Sequence, residues 1–239
     1  MLAEAAAVLA LAAPGAEAHA FAVSVARGGP RPAASAAERR AHDRMARRFR
    51  GAGLEVRVQR FSTARGGSRN VIGIRSQPPT PGRRRGCVRV LMAHADSTPE
   101  GPGALDNASG LGLLAALAPR LDAIDPPCDI WLVATGAEER LYTGSPDHLG
   151  ALALTRIVPR RRVRVALSLD EGTGNSDHRE FELAGMPGLK LGVVDNRCRH
   201  LACDRAGRLH RSAFARAQRV VEATLPGARS APARRPPGP

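Results

Sequence analysis

Aromatic residues are scarce in this sequence, at 3% of 239 residues, so aliphatic side chains must build most of any core. No apolar run reaches the roughly 18 residues of a membrane-spanning helix, which excludes a bundle of membrane spans. The composition also excludes collagen and disulfide-rich miniproteins. A chain that is 43% hydrophobic and 24% charged suits one domain with a sizeable core, or two small ones.

Lysine is almost absent: Lys190 is the only one, and arginine carries nearly all of the formal net charge of +14. Such a basic balance fits a nucleic-acid partner or an anionic surface. It also fits a coding bias toward Arg, Ala, Gly and Pro, and the sequence has no aromatic-basic stripe and no nucleic-acid motif. We therefore predict no nucleic-acid partner and no stable membrane insertion, and charge does not decide the function.

Cysteine is sparse but even in number. The four residues are Cys87, Cys128, Cys198 and Cys203. An even count fits two disulfides and an exported protein, although it does not require them. We predict a secreted or extracytoplasmic protein.

The two ends of the chain differ in composition from its middle. Residues 1–20 are rich in alanine and leucine and end in Ala16-Glu17-Ala18, an A-x-A type of cleavage site, but Glu4 replaces the usual basic residues. We interpret them as a signal peptide, and the alternative is a frayed alanine-rich helix. Residues 230–239 have nothing to bury and are predicted to be disordered. The predicted domain is 21–229.

Helical and strand patterns alternate between these ends. Ser35 and Glu38 form a capping box that opens one helix. Residues 107–109 can cap another, which Pro119 must kink or end, and a last helix is predicted over 211–225. Strand patterns occur at residues 54–58, 70–74, 88–93, 130–135, 163–169 and 189–194. This alternation predicts a single three-layer α/β/α domain with a central mixed, largely parallel sheet.

Ionisable residues follow three of the apolar strand patterns, and one more precedes a predicted helix. They are His94, Asp96, Asp106, Glu138, Glu139, Asp170 and Glu171. Ligands of open α/β sheets bind beyond the carboxyl ends of the strands, so these side chains are expected to converge. Clustered carboxylates repel each other, and divalent cations remove that repulsion. Imidazole with carboxylate oxygens suits zinc, and one Asp bridging two metals is a common hydrolase design.

Several motifs follow one another in a specific order. They are His-Ala-Asp-Ser at 94–97, Gly-Ala-Leu-Asp-Asn-Ala-Ser-Gly at 103–110, Ala-Glu-Glu at 137–139 with Gly-Ser at 144–145, Asp170, Ser-Asp-His at 176–178, Phe181, Gly-Met-Pro at 185–187 and Arg-His-Leu-Ala-Cys-Asp at 199–204. This series, within residues 31 to 225, resembles the zinc-dependent M28 family of metallopeptidases. Each motif alone is degenerate, whereas the ordered series forms a specific signal.

The resemblance implies a site with two zinc ions. His94 and Asp170 would bind one ion. Glu139 and His200 would bind the other. Asp106 would bridge the two ions.

The resemblance also implies roles for two further carboxylates. Glu138 would be the general base, which takes a proton from the metal-bridging water and passes it to the leaving amine. Asp96 would accept a hydrogen bond from the far nitrogen of His94 and fix its tautomer. Two adjacent glutamates just past a strand can direct one carboxylate at a metal and the other at its water.

The implied function is that of a zinc-dependent exopeptidase, an aminopeptidase that hydrolyses N-terminal residues of peptide substrates. The alternative is a catalytically weak M28-like paralogue that acts as a zinc-stabilised binding protein. The neighbouring M20 type shares the His-x-Asp and Glu-Glu motifs but inserts a lid domain before its last ligand. Only about 60 residues separate Glu139 from His200, so that lid is absent and M28 is preferred.

The resemblance also bears on which cysteines form disulfides. Cys198 and Cys203 bracket His200, and such a pair would close a small loop around the ligand, as in some secreted family members. A cysteine metal site is disfavoured because neither pair has C-x₂-C spacing. Cys87 and Cys128 either bridge, if their strands are neighbours, or are ordinary buried thiols.

Three departures from the family pattern affect the expected activity. Only the five residues 171–175 separate Asp170 from the Ser-Asp-His motif, where relatives carry tens. Leu201 replaces a small hydroxyl residue, and Arg199 replaces a tyrosine of several aminopeptidases, either as an oxyanion donor or as a solvated side chain. With a cleft wall shortened, we expect metal binding with low kcat/KM and little selectivity among N-terminal side chains.

Overall fold

The computed structural model describes residues 13–78, 86–144, 146–172, 174–192 and 196–225. Most of the predicted signal peptide and all of the tail at 230–239 lie outside these ranges. Within them, no helix combines the length and apolar character needed to cross a membrane.

A six-stranded mixed sheet forms the centre of the described fold, in the order β1-β2-β4-β3-β5-β6. Its strands are β1 (Glu55–Thr63), β2 (Gly66–Arg75), β3 (Val88–His94), β4 (Asp129–Thr135), β5 (Val163–Leu169) and β6 (Gly188–Leu191). The pairs β1–β2 and β2–β4 are antiparallel, and the pairs β4–β3, β3–β5 and β5–β6 are parallel. The predicted mixed, largely parallel sheet is confirmed, and every predicted strand pattern overlaps a strand.

Helices cover both faces of the sheet. They are α1 (Ala16–Ala26), α2 (Ala36–Gly51), α3 (Ser109–Leu117), α4 (Leu121–Ile124), α5 (Arg140–Thr143), α6 (Leu149–Leu154), α7 (His178–Leu183) and α8 (Arg211–Ala223). One core joins α1, α2, α3 and α8 to one face of the sheet through side chains such as Phe49, Leu114 and Phe214. The other core joins α6 and α7 to the opposite face through Leu154 and Phe181. The sheet and the helices packed on each of its faces form the three predicted layers.

Helix boundaries follow the predicted capping residues. The Ser35 side chain accepts a hydrogen bond from the Glu38 amide and begins α2. Asn107 Oδ1 accepts from the Gly110 amide at 2.9 Å at the start of α3. The α-helical turns of α3 end at Leu117, and a 3₁₀ turn holds Pro119, because proline lacks the amide that an α-helix would need there.

Helix α1 packs tightly on α3. Ala18 and Ala22 are fully buried, and a Cβ at Gly112 would stand 2.3 Å from the Ala18 carbonyl oxygen, so only glycine allows this approach. The helix is therefore packed rather than frayed. The signal peptide stays a prediction, and its predicted cleavage motif lies inside this helix.

Three parallel strands at the centre of the sheet place the ionisable residues. β3 lies between β4 and β5, so the carboxyl ends of all three strands meet at one edge. His94 is the last residue of β3, Asp170 follows β5 directly, and Glu138 lies three residues after β4. The convergence predicted from the sequence is thus a consequence of strand order.

Candidate metal centre

Two imidazoles face the two oxygens of one carboxylate at this sheet edge. His94 Nε2 lies 2.9 Å from Asp106 Oδ1, and His200 Nε2 lies 3.3 Å from Asp106 Oδ2. Asp106 is 2% exposed and therefore has little contact with water. One carboxylate consequently lies between two histidines that come from distant parts of the chain.

The remaining predicted ligands complete each side of this arrangement. Asp170 Oδ1 lies 3.6 Å from His94 Nε2, and Glu139 Oε2 lies 2.9 Å from His200 Nε2. Ser176 donates a hydrogen bond to Asp170 Oδ2 at 2.6 Å and orients that carboxylate. Each imidazole thus has one terminal carboxylate besides the shared Asp106.

Asp96 fixes the backbone of the Glu138–Glu139 segment through hydrogen bonds. Its two carboxylate oxygens accept hydrogen bonds from the amides of Glu138 and Glu139, each at 3.1 Å. The predicted contact with His94 differs in detail: His94 Nδ1 lies 3.1 Å from the Asp96 backbone oxygen and 3.6 Å from its carboxylate. The carboxylate is turned toward the two amides, because Glu138 and Glu139 are buried and their amides need an acceptor.

Asp204 holds the segment that carries Asp106. Its carboxylate accepts hydrogen bonds from the amides of Leu105 at 2.9 Å and Asp106 at 3.1 Å. Gly103 has a φ of +54°, and a Cβ on it would stand 2.1 Å from the Asp106 carbonyl oxygen. The sequence motif contained Asp204 but no signal of this positioning contact.

Arg31 holds the segment after β3 and was missed by sequence reasoning. Its side chain is buried, and it donates to the carbonyl oxygens of Ala95 at 2.8 Å and Gly103 at 3.1 Å. Its backbone amide donates to Ser97 Oγ at 3.0 Å. Among 36 basic residues the sequence offers nothing that distinguishes this arginine.

Burial and the neighbouring charges shift the pKa values of the groups in this site. Burial disfavours the charged form of His94, but Glu138 and Asp106 outweigh it and raise the pKa of His94 well above its usual value. Burial, together with the charge of Asp106, raises the pKa of Glu139 to about 7. Burial also opposes ionisation of Asp106, but the adjacent imidazoles of His200 and His94 hold its pKa well below the usual range. Negative charge is therefore concentrated where a cation would be stabilised.

The donor set fits divalent metal ions. One nitrogen or oxygen atom from each of His94, Glu138 and Asp170 lies within 4.8 Å of the others, and the same holds for His94, Asp106 and Glu139. His94 Nε2, Asp106 Oδ1, Glu139 Oε1 and His200 Nε2 are buried atoms without a hydrogen bond among the described residues. Buried polar atoms are rarely left unpaired, and imidazole with carboxylate is a donor set that zinc accepts.

Arg199 is directed toward the site, although its side chain is partly exposed. Its Nε lies 3.2 Å from Asp106 Oδ2 and 3.0 Å from Glu171 Oε1, and its side chain is 33% exposed. Burial raises the pKa of Glu171 to about 8, and the negative charge of Asp106 adds to that effect. The neighbouring Leu201 is 52% exposed. Arg199 and Glu171 thus contact each other beside the Asp106 carboxylate.

Two disulfides stabilise the structure. Cys198–Cys203 closes the loop that carries His200, as the sequence predicts, and Cys87–Cys128 joins the segments that lead into β3 and β4. The second pairing was left open by the sequence and follows from the adjacency of these two strands.

We predict that both pairs are oxidised in exported protein. A digest analysed by mass spectrometry without reduction should contain the Cys198–Cys203 and Cys87–Cys128 linked peptides. The same digest after reduction and alkylation is the control and should contain four modified cysteines. Free thiols at Cys198 and Cys203 in protein from the extracellular medium would contradict the prediction.

The fold is an α/β fold like that of solved zinc aminopeptidases, with a candidate metal centre at the carboxyl edge of its sheet. A solved zinc aminopeptidase of Bacillus subtilis, BSAP, superposes with a TM-score of 0.79 at 16% identity, over 92% of this chain and 97% of that one. A glutaminyl cyclase of Fimbriiglobus ruber superposes with a TM-score of 0.76 at 15% identity, over 90% of this chain and 95% of that one. At these identities the likeness concerns the fold.

The sequence comparisons indicate the family. Residues 70–172 match the profile of Peptidase family M28. Aminopeptidase YwaD of Bacillus subtilis (strain 168) is 38% identical over 92 residues, a match that spans 37% of this chain and 20% of that protein. The predicted resemblance to Peptidase family M28 is confirmed over residues 70–172.

Proposed function

We propose that the protein is a zinc-dependent aminopeptidase with two zinc ions per chain. The observation that carries the proposal is the position of Asp106, whose two oxygens each face a different imidazole. A carboxylate bound between two cations is the arrangement that would compensate the buried negative charge. His94 and Asp170 would hold one ion, and Glu139 and His200 the other.

The zinc ions would polarise the scissile carbonyl and make a water more acidic. Glu138 then takes a proton from the attacking water, whose oxygen bonds to the carbonyl carbon. When the C–N bond breaks, Glu138 passes that proton to the leaving nitrogen, so the products are a free amino acid and a shortened peptide. Glu138 Oε2 lies 3.9 Å from His94 Nε2, beside the proposed ligands.

One observation favours the second candidate, a weakly catalytic zinc-stabilised binding protein. Arg199 Nε lies 3.2 Å from Asp106 Oδ2, the oxygen on the His200 side, and a fixed positive charge there competes with a cation. The short segment 171–175 also leaves less chain to build a substrate wall. The short segment predicts low kcat/KM, and the charge of Arg199 predicts weaker binding of the ion on the His200 side.

The two disulfides support an extracytoplasmic location, because such bonds persist in oxidising compartments. The peptide substrate would reach the site from the sheet edge. The cyclases among the similar folds make N-terminal glutamine a substrate to be included in any assay.

We expect purified protein to contain about two zinc ions per chain and to hydrolyse aminoacyl amides with a free amino group. Elemental analysis alongside a panel of chromogenic aminoacyl amides tests this, with the N-acetylated amides as matched controls. Hydrolysis of free and acetylated substrates at equal rates would contradict an aminopeptidase. Zinc without any hydrolysis would favour the binding protein, and ring closure of N-terminal glutamine would favour a cyclase.

A further inference from the structure

A histidine and a glutamate to which the sequence analysis assigned no role lie next to Glu138. His148 Nε2 lies 3.5 Å from Glu138 Oε1, and His148 Nδ1 lies 3.2 Å from Glu180 Oε1. The three residues are 5%, 4% and 9% exposed in the order His148, Glu138 and Glu180. A buried imidazole therefore contacts one carboxyl group through each of its ring nitrogens.

Backbone hydrogen bonds fix the position of His148 beside Glu138. The amide of His148 donates to the Glu138 carbonyl at 3.4 Å, and the amides of the next two residues donate to the carbonyls of Ala137 and Gly136 at 3.1 and 3.0 Å. Gly150 allows the two segments to approach, because a Cβ on it would stand 2.4 Å from the Gly136 oxygen. The contact is thus built into the fold after β4.

The two oxygens of Glu138 face different partners. Oε2 is directed toward His94, at 3.9 Å from its Nε2, and Oε1 toward His148. A carboxylate that exchanges a proton at one oxygen is oriented more precisely when a neighbouring group contacts its other oxygen. Hydrogen bonds of catalytic groups are often long in the free enzyme and shorten in the substrate complex, so 3.5 Å suits this purpose.

We propose that His148 and Glu180 are positioning residues for Glu138. His148 contacts Glu138 Oε1 and limits rotation of that carboxyl group, and Glu180, on α7, holds the imidazole from its other nitrogen. The arrangement extends the general rule that buried partners orient the groups that do chemistry. The inference rests on the proposed role of Glu138 as the base.

The first test separates positioning from stability. His148→Ala should lower kcat about 10- to 100-fold, the usual effect of removing such a partner, with KM and zinc content unchanged. His148→Gln should recover most of the activity, because its amide can donate to Glu138. The exposed His210, at the start of α8, supplies the control His210→Ala, which should retain full activity. An unchanged kcat in folded, zinc-loaded His148→Ala would overturn the proposal.

The second test measures coupling and covers the case in which His148→Ala fails to fold. Glu180→Gln keeps the shape of the side chain and should lower kcat with KM unchanged. In a Glu138→Gln background, the same Glu180→Gln substitution should cause no further loss, since residues that act through one group are non-additive. Fully additive losses would show that Glu180 acts elsewhere and would overturn the proposal.

A measurement without turnover distinguishes this inference from the proposed function. The ¹⁵N shifts of the His148 ring should respond at Nε2 to Glu138→Gln and at Nδ1 to Glu180→Gln. If these shifts respond but the native protein hydrolyses nothing, the contact is supported and the proposed function fails. If hydrolysis depends on Glu138 but the His148 ring does not respond to its substitution, the positioning proposal fails alone.

Discussion

Glu138→Gln should lower kcat by about 10²- to 10⁴-fold and leave both zinc ions bound. Glutamine has nearly the same shape as glutamate, but its amide cannot accept the proton of the attacking water. The backbone amide of residue 138 would still donate to Asp96, so Glu139, a proposed ligand, should keep its place. Steady-state kinetics with elemental analysis of the same sample measures both quantities.

A matched control for this substitution is Glu55→Gln. Glu55 begins β1, its side chain is 54% exposed, and it pairs only with Arg57 among the described residues. This control should keep native kcat and zinc content, as exposed ion pairs contribute little. Near-native turnover of Glu138→Gln would show that another group is the base.

Asp106→Ala should lose both zinc ions, whereas Asp170→Ala and Glu139→Ala should each weaken mainly one. Asp106 is the only proposed ligand that faces both imidazoles, with Oδ1 at 2.9 Å from His94 Nε2 and Oδ2 at 3.3 Å from His200 Nε2. Its removal would leave each metal with one histidine and one carboxylate, too few for a tetrahedral zinc site. Zinc per chain by elemental analysis, and activity after zinc is added back, check the prediction.

Folding of the Asp106 variants needs its own measurement. Asp106 sits in a buried segment held by Asp204, so circular dichroism and a melting curve should accompany the metal analysis. Asp106→Asn keeps the size of the side chain and serves as the second variant, with affinity for both ions reduced. A folded Asp106→Ala protein that retains one tightly bound zinc would contradict a bridging role.

Local patterns in the sequence predicted the strands, the helices α2, α3 and α8, and the order of the candidate site residues. Alternating and continuous apolar runs predicted the six strands of the described residues, and Ser35 and Pro119 predicted where two helices begin and end. These signals are short in range, because hydrophobic period and capping depend on residues within one or two turns. The motif order likewise identified His94 and Asp106 before any geometry was known.

Only the tertiary structure shows which residues that are distant in the sequence contact each other. The sequence left the Cys87–Cys128 pair open, and the parallel pairing of β3 with β4 brings these cysteines together. The hydrogen bond from Asp204 to the Asp106 amide spans 98 residues.

The contact of His148 with Glu180 spans 32 residues, and it too has no sequence signal. No local pattern encodes such pairs, because each partner is an ordinary polar residue until strand order places it in a buried site where water cannot satisfy it. The sequence therefore predicted the candidate site residues, and tertiary packing determined which buried polar residues contact and orient them.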